Sequence, residues 1–376
     1  MRLNKSQEVF IALVKAGLWG KATQLSSYGD CSFSDIYKMA EGQSVLGLVT
    51  AGLENVMDVK ISKEWSVQFI GATLQIEQRN RAMNEFVARL ITLLRKKNVY
   101  AILVKGQGIA QCYERPLWRA CGDVDLLLSD DNYKKARETL IPLASTVDVE
   151  DVKRKHLALT IDSWIVELHG SLHSGITRNV DKGIDKIQDD IILGGGVRLW
   201  INDDVSIFLP SVNNDVIVVF THILQHFYDG GIGLRQVCDW CRLLWAYRGQ
   251  IDENRLKRQL ESMTLLTEWK SFAALAVKYL GMQEDSIPLF DKTAKYGQKA
   301  DRILSLILET GNFGRGRDET YKQRNTFIIR LAISFCRHTR DFFRQIRIFP
   351  KKALWVWMKM IVKGCRFAIK GCNGKD

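Results

Sequence analysis

The chain has 376 residues, 46% hydrophobic and 26% charged, with only 5 prolines. These proportions describe a folded globular protein with ample core, and they exclude a disordered, collagenous or low-complexity chain. The formal charge of +12 is uneven: residues 321–376 hold 14 Lys and Arg against 2 acids, while the other 320 residues balance at 40 of each sign. Basicity therefore belongs to a C-terminal segment and not to the body of the chain.

The opening stretch MRLNKSQEVFIALVKAGLWG has amphipathic-helix spacing with internal charges, not the unbroken apolar run of a secretory signal. Eight cysteines, at 31, 112, 121, 238, 241, 336, 365 and 372, lie scattered in apolar or mixed stretches and read as reduced thiols of a cytoplasmic protein. Cys238 and Cys241 match CxxC, but no second pair has zinc-like spacing, so they read as buried helical thiols. Helices are expected over 5–19 and 34–55, separated by a Ser/Gly/Asp-rich loop at Ser26–Ser34. A long helix follows from about Ser62 to Lys97, its apolar stripe running through Trp65, Phe69, Ile70, Leu74, Ile76, Met83, Phe86, Leu90, Ile91 and Leu94.

The centre of the chain is Tyr100–Ser129, YAILVKGQGIAQCYERPLWRACGDVDLLLS. It reads as strand, glycine turn, short helix, basic loop and strand. Residues two apart on a strand share a face. Asp123 and Asp125 therefore project together, and Val124, Leu126 and Leu128 face a core. Two adjacent carboxylates repel unless a cation sits between them, and hard oxygen ligands suit Mg²⁺ beside substrate phosphates. A bare DxD also occurs at solvated strand edges, but here Lys105, Gly106 and Arg119 surround it. Gly106 lets backbone approach a phosphate, and Lys105 and Arg119 add positive charge. A later strand, Ser163–His169, brings Glu167 and His169 to one face.

These segments, LVKGQGIA, RACGDVDLLL and IVELHGSLH, resemble the uncharacterised nucleotidyltransferase family of bacteria, a branch of the polymerase-β-like nucleotidyltransferase superfamily. The resemblance runs over most of residues 60–245. It implies a nucleotidyl group transferred from an NTP to an acceptor, with Mg²⁺ (or Mn²⁺) held by Asp123, Asp125 and Glu167, and Lys105, Gly106 and Arg119 on the phosphates. The superfamily's usual Gly-Ser turn is Lys-Gly-Gln-Gly here, so nucleotide handling does not carry over in detail. HFYDGGIGLRQVCDWCRLL resembles a second block of the family. It implies a helical lobe over the catalytic face, with His226 and Arg235 reaching substrate. Arg235 and Asp239, four apart on one helix, are expected within reach of each other. His222 and His226 share a helix face and read as a buried pair or a metal pair.

Elsewhere, Ser129 or Asp130 is expected to cap a helix to about Leu143. Val147–Val152 and His156–Ile161 are read as a hairpin leading into the Glu167 strand. Residues 176–210 are read as irregular, with a turn at Gly194–Gly196 and short strands at Val197–Ile201 and Val205–Leu209. Helices resume at Asn213 and continue through 251–310. Gly311–Arg317 reads as a connector or a phosphate- or glycan-contacting loop. The basic C-terminal helices, with Trp355, Trp357 and Phe367 beside lysines, suit an anionic membrane surface, a lobe folded on the body, or nucleic acid.

The expected fold is α+β: a small mixed β-sheet nucleotidyltransferase core with helices on one face, plus large helical N- and C-terminal parts. The divisions are 1–98, 99–210, 211–320 and 321–376. The expected function is metal-dependent nucleotidyl transfer in the cytoplasm, peripheral at the inner face of the membrane, with surface-polysaccharide biosynthesis as a setting implied by the resemblance. Two alternatives stand beside it: a catalytically degenerate nucleotide- or glycan-binding module, and a toxin that modifies RNA or protein.

Overall fold

The computed structural model describes residues 3–312 and 327–373. Four helices precede the first strand: α1 (Lys5–Trp19), α2 (Phe33–Gly42), α3 (Leu46–Glu54) and α4 (Lys63–Lys96). Asn4 and Gln7 cap α1 reciprocally, each side chain accepting from the other's backbone N–H. The stretch 34–55, expected as one helix, breaks between α2 and α3, where Ser44 takes a φ of 56°. α1 and α3 then cross at very close range. A Cβ on Gly17 would lie 1.9 Å from the Leu48 carbonyl oxygen, and one on Gly52 would lie 2.0 Å from that of Leu13.

Ser62 caps α4 by accepting from the Trp65 N–H. Its inward phase differs from the stripe read in the sequence. Ile70 and Leu74 are 48% and 53% exposed, while Thr73 and Asn80 are buried. Phe69, Thr73, Asn80, Met83 and Val87 keep the helical period, and the two polar members are satisfied where they sit. The Thr73 hydroxyl is 2.7 Å from that of Thr50. Asn80 donates to the carbonyls of Leu117 and Arg119 at 2.7 and 2.8 Å.

The strands are β1 (Ile102–Val104), β2 (Asp123–Leu127), β3 (Thr146–Val147), β4 (His156–Ile161), β5 (Trp164–His169), β6 (Val197–Asn202) and β7 (Val205–Pro210). They form one mixed sheet in the order β3-β4-β5-β2-β1-β7-β6. The first hairpin strand is shorter than read, two residues, with an isolated bridge from Asp151 to His156. β2 pairs with β1 antiparallel and with β5 in parallel. α5 (Gly106–Ala110) follows β1, and α6 (Asp130–Leu140), capped by Ser129, follows β2.

Residues 176–210 are not irregular throughout, because α7 (Arg178–Ile192) occupies their first half. Thr177 caps it, and Val180, Ile184, Ile187 and Ile191 make its buried stripe. Seven charged side chains crowd the other face, Arg178, Asp181, Lys182, Asp185, Lys186, Asp189 and Asp190. They keep the segment polar on average while its helical period is strong.

The remaining helices are α8 (Val212–Asp229), α9 (Leu234–Ala246), α10 (Glu253–Ser262), α11 (Leu266–Lys278), α12 (Ala294–Thr310), α13 (Phe327–Gln345) and α14 (Pro350–Asn373). Phe220, Trp240 and Trp269 anchor them, with ring centroids 5.5, 4.9 and 4.8 Å apart. α13 and α14 join the same apolar core through Phe342, Ile348, Phe349 and Ala353. One face of the sheet packs on α4 and α6 through Leu103, Val124, Leu126, Val166 and Leu168. The other face carries the acids of β2 and β5. The expected loop Gly311–Arg317 lies outside the described residues from residue 313 on, as do the side chains of Lys363, Arg366 and Phe367.

The α1–α3 crossing sets a sharp test. Gly17→Ala is expected to destabilise the chain by about 1–3 kcal/mol by overpacking, read as a fall in urea midpoint. Gly71→Ala, on an open surface of α4, is expected to stabilise by about 0.4–1 kcal/mol.

Candidate functional site

The site begins where β1 ends. Lys105 has φ 59° and ψ −143°, a region a non-glycine residue seldom enters. Gly106 follows at φ 41°. The turn brings the Lys105 side chain across the sheet face, where its Nζ lies 2.8 Å from Asp125 Oδ1. Asp125 is the Cα partner of Val104 in β1 and of Glu167 in β5. Strand alternation puts Asp123 on the same face. The three acids read from the sequence therefore meet on adjoining parallel strands.

Their charges are compensated unequally. His169 Nε2 lies 2.8 Å from Asp125 Oδ1 and 3.4 Å from Glu167 Oε2. His156 Nε2 lies 3.1 Å from the same Glu167 oxygen. Burial opposes ionisation of Asp125, yet Lys105 and the bond from His169 prevail and hold its carboxyl below the usual range. Burial opposes Glu167 too, and the bonds from His156 and His169 hold it well below that range. Burial works against a charge on His169, but its two carboxylate partners raise its pKa on balance. Asp123 differs. Burial and the neighbouring Asp125 charge push its carboxyl up to about 6, and no hydrogen bond offsets them.

α8 and α9 close the other side of a cavity of about 310 Å³, lined by Lys105, Asp123, Asp125, Glu167, His169, His222, His226 and Arg235 among others. The helical lobe thus covers the acidic face, as read. The His222 and His226 rings meet edge to face at 4.4 Å. Burial and the nearby Lys105 push His226 down to about 4, and His222 well below the usual imidazole value, so both are neutral near pH 7. Arg235 donates from Nη1 to the Ala120 carbonyl, while its buried Nε has no hydrogen-bond partner among the described residues.

Arg119 and Asp239 form a pairing that the sequence reading did not anticipate. Asp239 was expected to meet Arg235, one turn away on its own helix. It instead takes both Nε and Nη2 of Arg119, at 2.9 and 2.6 Å, and the Tyr113 hydroxyl at 2.7 Å. Arg119 Nη1 is directed at Cys121 Sγ, 2.8 Å away. Both members of the pair are buried, with side chains 6% exposed. Arg119 lines the cavity, but its donors are committed to this strut between the β2 approach and α9. Of the cations read from the sequence, Arg235 and Lys105 are left to face the cavity.

Two further residues escaped the reading, and both had a signal. His156 opens β4, where Leu157, Leu159 and Ile161 are buried. Strict alternation therefore places His156 on the acids' side, as the Cα partner of His169. Asn80 sits in phase with the apolar residues of α4, where a polar side chain must find buried partners.

Asp123, Asp125 and Glu167 offer carboxylate oxygens to a cation. Asp123, half-buried, raised and without a hydrogen bond, has the chemistry of a ligand that such an ion would satisfy. The family model described as uncharacterised nucleotidyltransferase matches residues 31–281, well over half the chain. The chain belongs to that family. The matched stretch takes in α2 through α11 and all seven strands, and it ends before α12. No curated protein and no solved structure matches the chain.

The buried strut predicts a strong asymmetry. Arg119→Met alone strands Asp239 and is expected to cost about 3–5 kcal/mol. Arg119→Met combined with Asp239→Leu is expected to recover most of that loss, as read in chemical denaturation.

Proposed function

We propose that this chain transfers a nucleotidyl group from an NTP to an acceptor hydroxyl, with Mg²⁺ or Mn²⁺ held by Asp123, Asp125 and Glu167. One observation carries the reading. Three carboxylates converge on one sheet face inside a cavity, and one of them, Asp123, is half-buried with its carboxyl raised and no hydrogen bond to offset its charge. A structural role gives no reason to keep that repulsion, whereas a cation site does. When bound, the cation neutralises the triphosphate and polarises the α-phosphorus.

The chain's own residues supply positioning and charge. In this reading the acceptor hydroxyl gives its proton to solvent as its oxygen bonds to the α-phosphorus, the bond to the α–β bridging oxygen breaks, and pyrophosphate leaves. Lys105 holds Asp125 in the resting state and turns its ammonium to the phosphates once Asp125 has another partner. Arg235 presents a guanidinium with an unsatisfied Nε–H, a donor suited to a phosphate oxygen. Arg119 acts as a positioning residue, because its fork is taken by Asp239. Glu167, held well below the usual carboxylate range by its two imidazoles, suits holding positive charge more than accepting a proton. His226, neutral in the cavity wall, borders the substrate.

Location at an anionic membrane surface is part of the proposal. On α14, Leu354, Trp355, Met358 and Val362 are 44–52% exposed. At helical spacing they share one face with Lys351 and Lys359, both exposed. Phe343 on α13 is 58% exposed. Apolar and cationic groups side by side suit the headgroup boundary. Among the described residues no helix is long and apolar enough to cross a membrane. An acceptor at that surface, such as a polysaccharide precursor, accords with this placement.

Asp123→Asn is expected to lower Mg²⁺-dependent pyrophosphate release at least about a hundredfold, and calorimetry should show loss of Mg²⁺–NTP binding. The metal-free variant is expected to be at least as stable as wild type at pH 7. The sign follows from linkage. A carboxyl raised to about 6 destabilises the fold when ionised, a penalty absent below about pH 4, growing between there and 6, and complete above. Denaturation curves across that window should show the stability difference opening as pH rises. Co-sedimentation checks the surface: wild type is expected to bind vesicles containing phosphatidylserine and not neutral ones, and Trp355→Glu with Met358→Glu should abolish that binding.

A further inference from the structure

We propose that His156, Glu167 and His169 form a nitrogen-bearing site for a first-row transition ion such as Mn²⁺. It would be one wall of a two-ion centre whose other wall is Asp123 and Asp125. Its catalytic role rests on the nucleotidyl-transfer reading above, while its existence rests on the strand geometry alone.

β4 and β5 pair antiparallel, with His156 directly across from His169 and Ala158 across from Glu167. Cross-strand partners share a face, so both imidazoles and the Glu167 carboxylate stand together. Donor atoms of the three residues lie within 4.8 Å of one another. Both Nε2 atoms are directed at one oxygen, Glu167 Oε2, at 3.1 and 3.4 Å. Ions bound by bonds of about 2.0–2.2 Å hold adjacent ligand atoms roughly 3–3.5 Å apart. These spacings lie in that range. In the metal-free state both imidazoles bond that oxygen, and the same convergence presents three donor residues to one point. An ion would use that convergence.

The donor set also selects the ion. Two imidazoles and a carboxylate suit first-row transition ions, and Mg²⁺ prefers oxygen alone. Asp125 joins the two walls, since its Oδ1 is 2.8 Å from His169 Nε2. It is the candidate bridging ligand of a paired-ion site. His156, with its side chain 34% exposed against 11% for His169, has room to rotate and complete the set. The all-oxygen wall would then take Mg²⁺ with the nucleotide, and the histidine wall would retain a resident transition ion.

The test uses the full chain, stripped of metal by a chelator and titrated with Mn²⁺. Binding is followed by loss of the free-ion electron paramagnetic resonance signal, and ligation by pulsed measurement of imidazole nitrogen coupling. Wild type is expected to bind Mn²⁺ with nitrogen coupling. His156→Gln should weaken that binding at least about tenfold while keeping the metal-free circular dichroism spectrum. Asp123→Asn should leave the nitrogen-coupled site in place. Mn²⁺ bound without nitrogen coupling, or bound equally well by His156→Gln, would overturn the proposal and leave nucleotidyl transfer standing. Nitrogen-coupled Mn²⁺ in a protein that binds no NTP would support the site and defeat the nucleotidyl-transfer reading instead.

Discussion

Crowding of negative charge on one sheet face is the constraint around which this molecule is arranged. Asp123, Asp125 and Glu167 are brought together by strand pairing, in a cavity where water screens them poorly. Left alone, such a cluster would protonate or unfold its surroundings. Lys105 and His169 both bond Asp125, and His156 and His169 both bond Glu167. Among the three, Asp123 alone has no hydrogen bond, and the charges of Lys105 and Arg235 offset its repulsion only in part. The fold thus leaves its electrostatic tension at a single carboxylate lining the cavity, the kind of tension that functional sites tolerate.

The same two strands do the opposite on their reverse side. Val124, Leu126, Val166 and Leu168 are all 0–1% exposed against α4 and α6. Burial of that face fixes the register, because a one-residue slip would bury the acids and expose the core. Stability and chemistry are therefore coupled through β2 and β5. The lobe adds a second layer of control: Asp239 on α9 grips Arg119 just before β2, and Tyr113 and Asn80 hold the same loop. The acids are positioned from the sheet below and from the lobe above.

What could be read from the sequence follows this division. Alternation in DVDLLL and IVELHG placed the acids and their apolar partners, since a period of two leaves little freedom. The long α4, the Ser129 cap and the β6–β7 pair were legible for the same local reasons. Elements that depend on distant partners were not. α7 is too charged on its outer face for its isoleucine stripe to dominate, and Ile70 and Leu74 could not be told from inward residues without knowing which side of α4 met the sheet. The Arg119–Asp239 bond joins residues 120 positions apart, so nearness along α9 pointed to Arg235 instead. His156 was within reach of the alternation argument, but its place opposite His169 depended on the hairpin register.

The Lys-Gly turn, where the resemblance led one to expect Gly-Ser, has a physical sense of its own. A serine in such a turn offers a neutral hydroxyl to a phosphate. Lys105 offers a full charge, and the left-handed backbone that aims it at Asp125 is unfavourable for any side chain with a Cβ. Nothing in the turn itself repays that conformation, since a glycine would make the bend at less cost. The repayment comes from the ion pair with a buried carboxylate. A lysine placed this way neutralises Asp125, and in the proposed reaction it would be free to meet an anionic ligand once a cation took its place.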